Sequence, residues 1–144
     1  MNDNLERKIA VIFATDVVGY SKHMKKDEDS TLKSFKACKE ILEKLFKEHG
    51  GIIFNTAGDS ILAEFSSAVS AVVCASEFQE LIKERNKSED TLTKLEFRVG
   101  INMGDVVKEG SNLYGDGVNI AARLETFSQP GGCLLYTSPS PRDA

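Results

Sequence analysis

Apolar residues run almost without a break from Lys8 to Val18 (KIAVIFATDVV), the pattern of a strand covered on both faces. The period then changes. Leu32, Phe35, Ile41, Leu42, Leu45 and Phe46 recur at helical spacing, acidic residues around Asp27 and Asp29 supply an N-cap, and Gly50-Gly51 supplies the stop. Two short strands are expected at Ile52 to Thr56 and Ile61 to Phe65, joined through Ala57-Gly58-Asp59-Ser60 as a hairpin. A second helix, about Ala68 to Glu84, carries Val69, Val72, Val73, Phe78, Leu81 and Ile82, and the polar stretch Arg85 to Thr93 reads as a loop. Leu95 to Met103 alternates as a strand, which Gly104-Asp105 turns into Val106-Val107, and a last helix runs from near Gly117 to about Thr126. The order β-α-β-β-α-β-β-α, with no internal repeat, predicts a one-domain α/β sandwich, with helices covering one face of a mainly antiparallel sheet.

Composition narrows the class. The 144 residues suffice for one domain with a core and are too few for two ordinary ones. Hydrophobic residues at 41% and charged residues at 28% match a globular, soluble chain. The 18 basic and 22 acidic residues leave a net charge of -4, and no basic stripe appears, so nucleic acid is not the expected partner. A small anionic ligand stays compatible, because metal ions can supply positive charge locally. The longest apolar run, Ile9 to Ala14, is strand-sized, whereas a membrane-spanning helix needs about 20 apolar residues, so no membrane segment is expected. The three cysteines, Cys38, Cys74 and Cys133, form no C-x-x-C pair, and Cys38 and Cys74 fall among apolar helical residues. A reducing cytoplasm is the expected setting.

Three places could carry chemistry. Asp16 ends the first strand and precedes Val17-Val18-Gly19-Tyr20-Ser21, where a glycine lets backbone N–H groups turn toward an anion. Asp59 lies at the hairpin tip. If that hairpin lies beside the first strand, the two carboxylates converge, and such a pair suits Mg²⁺. Two metals about 3.5–4 Å apart can activate an attacking hydroxyl and stabilise a leaving oxygen. Taken singly, the plainer reading is that Asp16 caps the following segment and Asp59 is a turn residue. In the third place, Tyr114 to Arg123, Asn119 and Arg123 share one helix face and could hold a phosphate as charge develops on it. A solvated polar stripe is the plainer reading of that face. Asp105, after Gly104, reads as a turn residue, and His23 and His49 have no metal partner in sequence.

Together the segments FATDVVGYS (13–21), NTAGDSILAEF (55–65), FRVGINMGDVV (97–107) and YGDGVNIAARLE (114–125) resemble the class III adenylate and guanylate cyclases, in that family's order and approximate spacing. The resemblance covers Lys8 to Gly132. It implies a ferredoxin-like, palm-like domain that turns ATP, or GTP, into a 3′,5′-cyclic monophosphate and pyrophosphate. It implies that Asp16 and Asp59, helped by the Val17 carbonyl, bind two Mg²⁺ or Mn²⁺ ions. Val18, Gly19, Tyr20 and Ser21 would receive the β- and γ-phosphates. Asn119 and Arg123 would stabilise the transition state on the site of a partner chain, so the active unit would be a head-to-tail homodimer. Asn55 and Asn112 occupy positions where many adenylate-specific relatives have lysine and aspartate that read the purine. Asparagine offers both a donor and an acceptor, so adenine and guanine both stay open, with a lean to ATP.

Past Gly132 the resemblance stops. The family continues into further strands, which are expected to be missing here. The string CLLYTSPSPRD (133–143) matches the translation of a sequencing-library transposon adapter residue for residue, so 133–144 is expected to be a non-native tail outside the 1–132 domain. Two other functions stay open. One is a catalytically silent cyclase-like module that binds nucleotide or a partner chain. The other is a different two-metal nucleotidyl transferase, though no Gly-Gly-acidic hairpin of the diguanylate cyclase type is present.

Overall fold

The first apolar run becomes β1 (Leu5–Val17), the centre of a six-stranded sheet in the computed structural model, which describes residues 5–137. The chain continues through α1 (Tyr20–Lys26), α2 (Glu28–His49), β2 (Ile52–Ala57), β3 (Ser60–Phe65) and α3 (Ala68–Lys87). It ends with β4 (Phe97–Glu109), β5 (Asn112–Tyr114), α4 (Asp116–Phe127) and β6 (Cys133–Thr137). Strands β2, β3, β1, β4 and β5 lie side by side in that order, each antiparallel to the next, and β6 joins β4 in parallel.

Burial on both faces explains why β1 is apolar from Ala10 to Ala14. Val11, Phe13 and Val17 belong to the larger core, with Phe46 of α2, Phe78 of α3, Phe65 and Phe97. Phe13 sits 5.2 Å from the Phe46 ring and 5.7 Å from Phe65, distances at which tilted and edge-on aromatic pairs attract. Ala10, Ile12 and Ala14 join Val106, Leu113, and Val118 and Ala121 of α4 in a smaller cluster. The sheet is therefore clad on both faces, with α2 and α3 on one and α4 on the other, where the sequence pattern predicted helices on one face only. The apolar stripe of α4 is short, and periodicity shows that a helix has an inner side without showing which face of the sheet receives it.

Most elements end where the capping and glycine signals predict. The Asp27 side chain accepts the Ser30 N–H at 3.0 Å to cap α2, and Gly50, at φ 83°, ends it. Helix α3 runs past Glu84 to Lys87, because its polar end is docked: Asn86 Nδ2 donates to the Leu95 carbonyl at 2.8 Å. The expected turn at Gly104-Asp105 does not exist. Strand β4 continues through it, with Gly104 opposite Ala10 and Asp105 opposite Ile9, and the chain reverses at Gly110 instead. Glycine inside a strand here marks a close approach. A Cβ on Gly104 would lie 3.6 Å from the Gly117 Cα of α4, and one on Gly100 would overlap the Ala121 carbonyl and the Glu125 backbone nitrogen.

The segment after Gly132 also departs from expectation. Cys133 to Thr137, expected to lie outside the fold, forms β6 opposite Val99 to Met103. The reason is local. That edge of β4 would otherwise present unpaired backbone groups, and a short β-prone stretch satisfies them. Leu134, Leu135 and Tyr136 remain 39%, 47% and 41% exposed. Residues 138–144 of the expected tail lie outside the described residues. Among the described residues, no helix is long and apolar enough to cross a membrane.

Helix α4 lies so close to β4 that Gly100→Ala should cost roughly 1–3 kcal/mol, the usual cost of overpacking. Urea unfolding measures it, and wild-type stability in this variant would mean that α4 is not seated on Gly100.

Candidate active site

The end of β1 is a charged corner built by four elements. The β1–β3 register pairs Thr15 with Ile61, which carries Asp59 to a place opposite Val17. There the Val17 N–H donates to Asp59 Oδ2 at 2.9 Å. The hairpin thus lies beside the first strand as expected, and Asp59 is clipped next to Asp16. Strand β4 places Arg98 directly across from Asp16. Helix α4 adds Glu125, buried on the same face of the sheet. The Glu125 carboxyl is pushed up to about 8, first by burial, then by the nearby Asp16 carboxylate and the Asp59 charge, while Arg98 pulls it down. Three carboxyl groups and one guanidinium therefore share the corner. Arg98 Nε and Glu125 Oε2 are buried there without a hydrogen-bond partner among the described residues.

Oxygen donors dominate this corner, and a single guanidinium offsets only part of their charge. Such a donor set fits a hard divalent cation. Asp16, Asp59 and the main-chain oxygen of Val17 are the residues able to hold one.

The other expected residues divide into separate groups. Gly19, at φ 64°, turns the chain from β1 into α1, and Tyr20 anchors that turn by packing on Phe35 at 6.1 Å. The Val18 N–H is spent on the Glu96 carbonyl at 2.8 Å, so in this turn only Gly19 to Ser21 keep amides to offer. Asn55 is exposed on β2, just after a register shift in its pairing with β3. Asn112 starts β5, where its Oδ1 accepts the Leu113 N–H at 2.8 Å and its Nδ2 donates to the Tyr114 hydroxyl at 3.2 Å. Among the described residues no hydrogen bond joins Asn55 to Asn112. Asn119 and Arg123 lie on the exposed side of α4, whose buried side carries Val118, Ala121 and Glu125.

Glu125, Arg98 and Asn102 escaped the sequence reading. Each had a signal. Glu125 continues the Val118, Ala121 spacing of the inner helix face, a place where an acid is out of character. Strand alternation puts Arg98, Gly100 and Asn102 on one side, and Asn102 Nδ2 donates to the Gly117 carbonyl at 3.0 Å to seat the start of α4. His49, which seemed to lack a partner, meets Glu77 at 3.0 Å, and with Glu48 their ligand atoms lie within 4.8 Å of one another. That group links the end of α2 to α3. Asp105, read as a turn residue, is an exposed member of β4.

Residues 2–138 match the family model described as the adenylate and guanylate cyclase catalytic domain. A Rhizobium meliloti protein named "Putative adenylate cyclase 3" is 44% identical over 134 residues, 92% of this chain and 23% of that protein. An adenylate cyclase of Streptomyces coelicolor is 29% identical over 135 residues, 93% of this chain and 34% of that protein. The chain thus spans a minor part of the curated relatives it matches. Among solved structures, an adenylate/guanylate cyclase/hydrolase from Silicibacter pomeroyi superposes with a TM-score of 0.83 at 38% identity, covering 92% of this chain and 77% of that one. The adenylyl cyclase CyaB of P. aeruginosa has the same fold, with a TM-score of 0.79 at 23% identity, covering 91% and 78% of the two chains.

A cation bound at the corner should stabilise the fold, since a ligand that binds only the native state raises its melting temperature. Millimolar Mn²⁺ is expected to raise the Tm of the wild-type protein and to leave that of Asp59→Ala unchanged. Equal shifts in both, followed by thermal unfolding, would remove Asp59 from the cation site.

Proposed function

The chain belongs to the family of adenylate and guanylate cyclase catalytic domains, and we propose that it closes ATP into 3′,5′-cyclic AMP. The ribose 3′-oxygen forms a bond to the α-phosphorus and loses its proton, while the bond to the bridging oxygen breaks and pyrophosphate leaves. One observation carries this reading. The β1–β3 register and the Val17 N–H bring Asp59 to the end of β1 beside Asp16, next to a turn able to take phosphates.

Asp16, Asp59 and the Val17 carbonyl are the residues that would hold two Mg²⁺ or Mn²⁺ ions. Such ions lower the cost of ionising the 3′-hydroxyl and of releasing the pyrophosphate charge. The protein's own groups do the positioning. The Gly19 to Ser21 turn and the Arg98 guanidinium take the outer phosphates, Arg98 because it is the cation set against the carboxylate corner. Asn119 and Arg123 bind the reacting phosphate in the transition state. They act on the site of a second copy, in a head-to-tail homodimer. Their place on the exposed side of α4, turned from the side that carries Glu125, supports that arrangement.

Asn55 and Asn112 read the purine. The choice of ATP is supported by curated relatives named as adenylate cyclases, with GTP the competing substrate. A cytoplasmic site is supported by the three free cysteines, two of them buried.

Product chromatography after incubation of the intact protein with Mn²⁺ and ATP or GTP tests the reading. Cyclic AMP is expected. Cyclic GMP alone would reassign the base, and a folded dimer giving no cyclic product would favour a silent nucleotide-binding module. Asp16→Ala should abolish turnover, and Arg123→Ala should lower kcat by roughly 10²–10³. Mixing these two variants should restore part of the activity, because one of the two shared sites would then be intact. No recovery from a co-assembled mixture would rule out sharing between chains.

A further inference from the structure

We propose that Glu48, His49 and Glu77 form a zinc-binding site that ties the end of α2 to α3, apart from the corner at the end of β1. His49 Nε2 lies 3.0 Å from Glu77 Oε1, and the ligand atoms of all three residues lie within 4.8 Å of one another. Two ligand atoms held tetrahedrally by one Zn²⁺, at about 2.0–2.2 Å each, stand roughly 3.4 Å apart. The observed separations bracket that value, and Glu48, on the surface, has room to close the gap. One imidazole nitrogen and two carboxylates suit zinc, with water completing the coordination.

Core packing brings these donors together. Leu45 and Phe46 of α2 and Cys74 and Phe78 of α3 are buried in the same core, so the backbones that carry the three side chains are fixed. The His49 side chain is only 19% exposed, which limits where its ring can point. The site is remote from Asp59. His49 leads into β2, whose Ile52 pairs with Glu64, while Asp59 lies in the turn at the other end of the same hairpin.

Charge points the same way. One imidazole can offset at most one of the two carboxylates, and among the described residues no lysine or arginine pairs with Glu48 or Glu77. A divalent cation balances both. Two surface carboxylates alone would carry no such meaning. The imidazole nitrogen is what selects zinc over Mg²⁺, which takes oxygen ligands. A bound ion would brace the α2–α3 pair that backs the sheet.

Titration of the intact protein with Zn²⁺, followed by NMR of the imidazole protons, is the test. The chain has two histidines, His23 and His49, and His49→Gln identifies the His49 signals by removing them. Zn²⁺ should move the His49 signals and leave those of His23 in place. Glu48→Gln and Glu77→Gln keep the imidazole and the side-chain size but lose a carboxylate. Each should need roughly 10–100-fold more Zn²⁺ to move the His49 signals, at least the loss that follows removal of an outer partner of a metal ligand. Asp59→Ala should titrate like the wild type, which separates this site from the corner at the end of β1. Two outcomes overturn the proposal: His49 signals that stay in place at excess Zn²⁺, or Glu77→Gln titrating like the wild type.

Discussion

The antiparallel ladder between β1 and β4 sets everything else in place. It joins Leu5 to Glu109 at one end and Val17 to Phe97 at the other without a break in register. Because successive side chains alternate between faces, this one register puts Ala10, Ile12, Ala14 and Asp16 on the same side as Gly104, Asn102, Gly100 and Arg98. That side receives α4. The opposite side receives the phenylalanine-rich core of α2 and α3. A slip of β4 by one residue against β1 would turn its side chains over, burying Arg98 among phenylalanines and turning Phe97 toward α4.

Much of this was legible in the sequence because local rules and global packing agree. Strand β1, helix α2 with its Asp27 cap and Gly50 stop, and the β2–β3 hairpin each carry their own signal, and the hairpin brought Asp59 to Asp16 as expected. The failures share a cause. Gly104-Asp105 looks like a turn locally, but the glycine is there for a helix that crosses from far along the chain. The side of the sheet taken by α4 is likewise a long-range fact. Glu125 and Arg98 were overlooked because their meaning depends on Gly100 and Asp16, and no short window contains those pairs. Cys133 to Thr137 was set aside for its apparent origin, whereas pairing depends only on the residue types and the free edge they meet.

The corner at the end of β1 divides its work between near and distant parts of the chain. Asp16, Val17 and the Gly19 turn are contiguous, so one strand end carries both oxygen groups able to hold a cation and a glycine turn with amides to offer. Asp59 and Arg98 come from two other elements and hold that end through the Val17 N–H and the β1–β4 ladder, while α4 brings Glu125 to the same corner. Helix α4 has two sides with separate duties. Its inner side meets its own chain's carboxylates, and its outer side is left for whatever lies beyond the molecule's surface.

The seat of α4 on Gly100 limits how this stretch of sequence can vary in length. An insertion at the Gly110 turn would project into solvent and leave both the strand and the helix where they are. One residue added between Gly117 and Glu125 would rotate the rest of the helix by about 100° and carry Glu125 off the inner face. Lineages sharing this fold should therefore differ freely in the β4–β5 turn while keeping a constant count from the glycine over Asp105 to the acid over Gly100.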